Sequence, residues 1–358
     1  MTRIADITSW TESVPLTRPY TIATRTIDQV GLHFLRLTAD DGTIGLGAAA
    51  PAREVTGESN AACAETLAEE SLGWLRGRDL RKLFGLCREL EHHYPAAPAA
   101  RVAIEMALYD LAARKLDLPL VELLGRCHEA LPTSITIGIK ESIEEALAEA
   151  EEFCRRGFHC LKVKIGLSFE QDCELLRRLR ERVGRSIDIR VDANLGYSLG
   201  QTREFWPLVQ ELELELVEQP VPVADFPRLR HLPEAYRHIL AADESLQTEA
   251  DALELLHRPR VCGIYNIKLM KCGGLSSALS IARVAERAGL ELMWGCMDES
   301  VISISAALHT AYACPNTRYL DLDGSFDLPA DPARGGFRLQ DGVLHLLDSP
   351  GLGVELRG

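Results

Sequence analysis

The sequence predicts an α/β protein: a (β/α) TIM-type barrel preceded by a smaller α+β domain. Three observations lead there. Short apolar runs that end in a charged residue recur about every 25 residues, the length of one strand plus one amphipathic helix. Eight candidate strands follow residue 125, six of them ending in a charged residue, and eight strands close such a barrel. The segment before them reads differently, as strands followed by helices, which is the pattern of an α+β unit. A chain of 358 residues also exceeds a single barrel of about 250 and leaves room for the added domain.

Taken in order, RIADITSW, VGLHFLRLTA and TIGLGAAA are strands. The last two are joined by Asp40-Asp41-Gly42, and Asp-Gly between alternating apolar runs marks a hairpin. From Ser59 the pattern turns helical and ends in ARVAIEMALYDLAARKLDLPLVELLG, where apolar residues recur at three and four and Pro119 opens a further short segment. Residues 1–125 thus form the first domain and 126–328 the barrel. The barrel strands are TSITIGI near Ile139, HCLKVK to Lys164, SIDIRVD to Asp192, LELVE to Glu218, HILAAD to Asp243, GIYNIK to Lys268, LELMWGC to Cys296 and TRYLDLD to Asp323. Helices fill the gaps, two of them opening on the capping-box patterns Ser142-x-x-Glu145 and Ser168-x-x-Gln171. The tail, 329–358, carries a second Asp-Gly hairpin signal in GGFRLQDGVLHL and is expected to return to the first domain.

Lys+Arg number 39 against Asp+Glu 53, a net charge of −14 without a long single-sign run, which argues against nucleic acid and anionic membrane as partners. Ten scattered cysteines form no CxxC pair, and the N-terminus MTRIADITSW has no apolar signal core. The expectation is a soluble, cytoplasmic protein with reduced thiols.

A barrel strand is covered on both faces, so a Lys, Asp or Glu within it is costly unless paired or metal-bound. Charges at the strand C-termini are where such barrels do chemistry. Strands 2 and 6 are opposed, which sets Lys164 and Lys268 across the mouth from each other with Asp192, Glu218 and Asp243 between them. Neighbouring strands lie about 4.8 Å apart, close enough for the three carboxylates to converge on one ion. An all-oxygen set without His or Cys suits Mg²⁺ better than Zn²⁺. Salt bridging alone would leave three anions against two lysines. Lys162 shares a face with Lys164, about 6.6 Å along the strand, and its charge is expected to lower the pKa of Lys164 toward that of a useful base. Bases on opposite faces of one carbon are what a 1,1-proton transfer needs, with the cation holding a substrate carboxylate and stabilising the enediolate.

The order of these residues resembles the muconate-lactonizing subgroup of the enolase superfamily: Lys162 and Lys164 in KVK, Asp192 in DAN, Glu218 in EQP, Asp243 in DES and Lys268 in NIKLMKCGG. The resemblance covers nearly the whole chain, since the N-terminal domain, including ALYDLAARK, looks like that family's capping domain. It implies a Mg²⁺-dependent reaction that begins by removing a proton α to a carboxylate. Strand 8 reads YLDLDGSF, and Asp321 and Asp323 fall on one side of it, opposite strand 4. This pair resembles that of dipeptide epimerases, where it holds the α-ammonium of the N-terminal residue. The family commonly self-associates, which implies a homo-oligomer.

Specificity is expected from the capping domain and the loop after strand 7. Arg25 stands where L-Ala-D/L-Glu epimerases carry an arginine for an acidic side chain, whereas Glu54 and Asp298 replace expected uncharged residues and favour a cationic one. Pairing with Glu54 would neutralise Arg25, which leaves a cationic or broad dipeptide as the expected substrate. Thr136 and Cys296 are expected to line the site. Other readings of the same residues are an o-succinylbenzoate synthase or muconate-type cycloisomerase, a metal-free barrel using Lys268 as a Schiff base, and a non-catalytic binder.

Overall fold

The structure, a computed structural model, describes residues 2–23 and 25–357, the side chain of Arg25 excepted. Eight parallel strands lie side by side in chain order: Ile135–Ile137, Cys160–Lys164, Asp188–Asp192, Leu216–Glu218, Leu240–Ala242, Ile264–Ile267, Glu291–Gly295 and Thr317–Asp321. The ring is drawn together where Thr133 bridges Leu320 and Ser134 N donates to the Leu320 carbonyl at 3.0 Å. This is the expected TIM-type barrel.

Period-two alternation divides the strand residues into two sets. Leu216, Ala241, Ile264, Met293 and Tyr319 form a small cluster separate from the main core, one residue from each of strands 4 to 8. Two positions further along the same face stand Glu218, Asp243, Asn266, Gly295 and Asp321. The interior is therefore apolar low in the barrel and charged at its C-terminal end. Register aligns the charges laterally, with Lys164 opposite Asp192 and Asp192 opposite Glu218. Asp243, Lys268, Cys296 and Asp323 lie just past their strands.

The first domain opens with a three-stranded antiparallel sheet, Ile4–Ile22, Arg25–Ala39 and Ile44–Ala49. The first strand runs well past the apolar stretch that sequence alone marks. Residues 11–22 carry Pro15, Pro19 and several charges and give no alternation. Their extended form is set by the partner strand, with a register shift between Pro15 and Tyr20. The tip of this long hairpin reaches the barrel, where Ile139 N donates to the Thr21 carbonyl at 2.8 Å.

The helix Pro98–Lys115, opened by a proline at its first turn, is buried along most of its length. The sheet packs on it closely, because Gly45 and Gly47 present bare backbone to the carbonyls of Ala107 and Ala103, where any Cβ would collide. Ser142 and Ser168 cap their helices by accepting from Glu145 N and Gln171 N, while the full reciprocal box forms instead at Ser198 with Gln201 and at Thr248 with Asp251. The tail hairpin, Phe337–Gln340 with Val343–Leu346, pairs with Ala130–Pro132 just before the barrel. Further on, Leu352 N donates to Asp110 Oδ1 at 2.7 Å and the Val354 carbonyl accepts from Arg114 at 2.7 Å, so the tail also grips the helix Pro98–Lys115. Among the described residues no helix is long and apolar enough to cross a membrane.

Candidate active site

Lys162, 2% exposed, stands at the centre of the charged end. Its Nζ is 2.7 Å from Asp321 Oδ2, 2.8 Å from Glu218 Oε2 and 3.3 Å from Asp192 Oδ2. Lys164 donates to Asp192 Oδ2 at 2.7 Å, and Lys268 donates to Asp243 Oδ2 at 2.7 Å. The two lysines assigned as bases thus rest on different carboxylates, one on strand 3 and one past strand 5. Both face the same cavity.

The carboxylates are held from behind by their own motifs. In DAN, Asn194 N donates to Asp192 Oδ1 at 2.9 Å. In EQP, Gln219 takes the strained φ of 32° and its Oε1 accepts from Asp243 N and Ser245 N, both at 3.1 Å. Asn266 donates to Glu218 Oε1 at 2.7 Å. Lys271 was missed in the sequence reading, although it lies three residues after Lys268 in NIKLMK. It is buried, and its Nζ donates to Asp243 Oδ1, to the Asp243 carbonyl and to the Asn266 carbonyl. The sequence count of three anions against two lysines therefore needs correction: Lys162 and Lys271 enter the network, and so does the half-buried Glu244.

Those contacts fix the charge states. Carboxylates hold the Lys162 and Lys268 ammoniums above the ordinary lysine range despite burial. At Lys268 burial works against the charge, and the neighbouring Asp243 carboxylate overcomes it. Burial opposes ionisation of Asp192, but Lys164 and Lys162 overcome it and bring the group down to about 2. Glu218 is pushed the other way, to about 8, by burial and then by Asp192.

No three His, Cys, Asp or Glu groups among the described residues stand together as a ready cage for an ion. Lysine ammoniums fill the space between the carboxylates. The donor set nevertheless fits Mg²⁺. Glu244 Oε2, Asn194 Oδ1 and Asn266 Oδ1 are buried oxygens that make no hydrogen bond, and Glu218 Oε2 beside them meets the Lys162 ammonium at 2.8 Å. Acceptors left over beside hard anionic ligands are what an oxygen-seeking cation satisfies.

Tyr20, Lys164, Cys296, Met297 and Asp298 form a wall shared by two chambers. One is lined by Thr136, Lys162, Asp321 and Asp323. The other, about 550 Å³, reaches from Lys164 and Lys268 to Glu54 and Asp28 of the first domain. Thr136 takes part through its backbone, its N–H donating to Asp323 Oδ2 at 2.7 Å. Cys296 donates its thiol to the Asp321 carbonyl at 3.2 Å. Tyr20, also missed, donates its hydroxyl to Asp298 Oδ2 at 2.9 Å from the tip of the long hairpin. Burial raises the Asp298 carboxyl to about 6. Glu54 sits on the short helix Arg53–Thr56 at the rim of the larger chamber. The side chain of Arg25 lies outside the described residues.

A ring of barrel-end carboxylates and lysines under a capping domain defines the class, and sequence comparison agrees. The profile for the mandelate racemase / muconate lactonizing enzyme N-terminal domain matches residues 4–125, and the enolase C-terminal domain-like profile matches 145–358. The chain belongs to the enolase superfamily. Within it, the chain is 56% identical over 352 residues to the L-Lys-D/L-Arg epimerase of Methylococcus capsulatus, covering 98% of this chain and 99% of that one. It is 34% identical to the L-Ala-D/L-Glu epimerase of Bacillus subtilis over 348 residues, 96% of this chain and 94% of that protein. A crystal structure of the Methylococcus capsulatus dipeptide epimerase with Mg and the dipeptide L-Arg-D-Lys superposes with a TM-score of 0.97, at 56% identity over 98% of this chain and 99% of that one.

Proposed function

We propose that the protein is an isomerase, a Mg²⁺-dependent dipeptide epimerase that inverts the Cα of the C-terminal residue and prefers cationic side chains. The observation that carries this reading is the pairing of Lys164 on Asp192 with Lys268 on Asp243 in one cavity, beside a chamber lined by Asp321 and Asp323. Two bases on opposed strands can remove a proton from one face of a carbon and return one to the other. Lys164 and Lys268 exchange these roles with the configuration of the substrate. Lys162 supplies a fixed positive charge for the enolate oxygen as the proton leaves.

Asp192, Glu218 and Asp243 would hold the metal. Mg²⁺, when bound, would polarise the substrate carboxylate and draw on the charge of these three residues, weakening their hold on the lysine protons. The acidic strand-8 pair supports an ammonium-bearing substrate. Thr136 and Cys296 shape that end of the site through main-chain and thiol contacts. The larger chamber takes the side chain of the C-terminal residue, and Asp298 and Glu54 give it a negative lining that suits lysine or arginine. The resemblance to the Methylococcus capsulatus enzyme, named for Lys and Arg dipeptides, supports the same choice.

Residues 1–125, 126–328 and 329–358 are proposed to act as cap, barrel and returning tail. All ten cysteines are free thiols, which supports a cytoplasmic setting. A homo-oligomer is proposed from family habit. The test is incubation of L-Lys-L-Arg with Mg²⁺-loaded protein in D₂O. Deuterium enters Cα of the C-terminal residue as the second diastereomer accumulates. Retention of that proton across a panel of cationic, neutral and acidic dipeptides would overturn the reading.

A further inference from the structure

The smaller chamber extends beyond Asp321 and Asp323 to a second set of charges, Arg18, Lys140, Glu149 and Asp327. Arg18 comes from the long hairpin of the first domain and Asp327 from the turn after strand 8, while Lys140 follows strand 1 and Glu149 sits on the helix Ile143–Arg155. Both cations already have partners. Arg18 donates to Glu152 at 2.6 and 3.2 Å and stands 3.8 Å from Glu149, and Lys140 Nζ lies 2.9 Å from Glu149 Oε2. Arg156, outside the lining, lies over Phe153 and Phe158 and is 3.6 Å from Glu152.

Asp327 differs from these groups. Its carbonyl accepts from Thr17 N at 3.0 Å and Thr17 Oγ1 at 3.3 Å, and Phe326 N donates to the Asp323 carbonyl at 2.9 Å, so the turn that carries it is fixed. Its carboxylate, by contrast, makes no hydrogen bond or ion pair with any described residue. It is half-buried and lines the chamber. Burial raises the carboxyl above its ordinary range, and the charges of Arg18, Arg156 and Lys140 only partly offset this. Asp327 is therefore an anion held in place without a bonded counter-charge.

We propose that Asp327 reads the side chain of the substrate's N-terminal residue and selects lysine or arginine there. This rests on the dipeptide reading, which puts the N-terminal residue at the strand-8 end of the smaller chamber. It adds a reader for that residue, whereas Asp298 and Glu54 concern the C-terminal one. Asp327 lies four residues beyond Asp323, one turn further from the barrel. A lysine or arginine can lay its aliphatic stem along Ile135 and Phe153, which line the same chamber, and bring its charge to Asp327. An acidic side chain would meet like charge at Asp327 and find Arg18 and Lys140 already held by Glu152 and Glu149. A neutral one would leave Asp327 as it is.

The test uses Mg²⁺-loaded wild type, D327N, D327A and D298N with three dipeptides: L-Lys-L-Lys, L-norleucyl-L-Lys and L-Lys-L-norleucine. Norleucine is lysine with hydrogen in place of the side-chain ammonium, so each neutral dipeptide removes one side-chain charge. The kcat/KM values are taken from Cα deuterium exchange. Wild type should favour L-Lys-L-Lys over L-norleucyl-L-Lys on the order of fivefold at low salt, the upper end for a partly exposed ion pair. The ratio should shrink in about 1 M KCl, where such a pair is screened. D327N and D327A should bring it to about one and leave the ratio of L-Lys-L-Lys to L-Lys-L-norleucine as in wild type. The proposal is overturned if both Asp327 variants keep the wild-type N-terminal ratio, or if they lower the two ratios equally. An N-terminal ratio that survives D327N and vanishes in D298N also overturns it, since the reader would then be the wall shared by the chambers. A wild type that exchanges the Cα proton with no N-terminal preference overturns this assignment alone. A wild type that exchanges no dipeptide proton overturns the functional reading as well.

Discussion

Replacing Asp298 with Asn removes one negative charge from the wall of the larger chamber and keeps the shape of the side chain. A cationic side chain about 4 Å from Asp298 at an effective dielectric of about 20 gains roughly 4 kcal/mol of Coulomb energy. Part of that is offset. The cation loses hydration, and Tyr20 already donates to Oδ2 at 2.9 Å, a charge-assisted bond of about 1.5–3 kcal/mol that the ligand must share. A net contribution of about 2 kcal/mol remains, equivalent to roughly thirtyfold in kcat/KM. D298N should therefore lower kcat/KM for L-Lys-L-Arg about thirtyfold and leave L-Ala-L-Ala within about threefold, measured by polarimetry or by Cα deuterium exchange. An equal fall for both substrates would mean that Asp298 shapes the site without reading charge. No fall for the cationic dipeptide would remove it from the specificity set.

Further outcomes follow from the same contacts. K164A and K268A should each abolish epimerisation, yet each should still exchange the Cα proton of one diastereomer in D₂O, seen by ¹H NMR; loss of exchange with both diastereomers in either variant contradicts a two-base mechanism. E218Q should weaken Mg²⁺ binding by at least about tenfold in a calorimetric titration, since a hard cation prefers ionised oxygen ligands. Gly273 has φ of 81° and lies against the Arg101 guanidinium, so G273A should destabilise the protein by about 1–2 kcal/mol in a denaturant titration, with Arg101 displaced.

His309 carries a pH prediction. Burial lowers its imidazole to about 3, and its Nδ1 accepts from Val121 N at 3.0 Å. The folded pKa lies below the unfolded value of about 6.5, so the unfolded chain binds the extra proton between them. The stability this neutral histidine contributes is present above about 6.5 and is lost as pH falls. The lead of wild type over H309Q should narrow by about 1.4 kcal/mol per pH unit below about 6.5. A lead that stays constant down to pH 5 would show that His309 titrates normally.

Much of the site was legible because each of its main residues ends a strand. Lys164, Asp192, Glu218, Asp243 and Lys268 are charges at the close of apolar runs in a fixed repeat, and period-two alternation puts Asp321 and Asp323 on one face. Strand position along the chain sets barrel order, so the sequence also places strand 2 across from strand 6. Less could be read where one residue depends on another far away. Lys271 looks like an ordinary helical lysine until the turn after strand 6 buries it against Asp243. Tyr20 belongs to a stretch with no strand pattern, and only pairing with residues 25–27 brings its hydroxyl over the barrel to Asp298.

The sequence by itself determined the fold class, the repeat and the chemical kinds gathered at the barrel mouth, because these follow from local periodicity and chain order. Tertiary structure decided which ion holds which. It set Lys162 between three carboxylates, drew Lys271 into the network and brought Tyr20 over the barrel to Asp298. Such choices depend on distances of a few tenths of an ångström between residues far apart in the chain. A linear pattern fixes the face a side chain points to, and only packing fixes the partner it meets there.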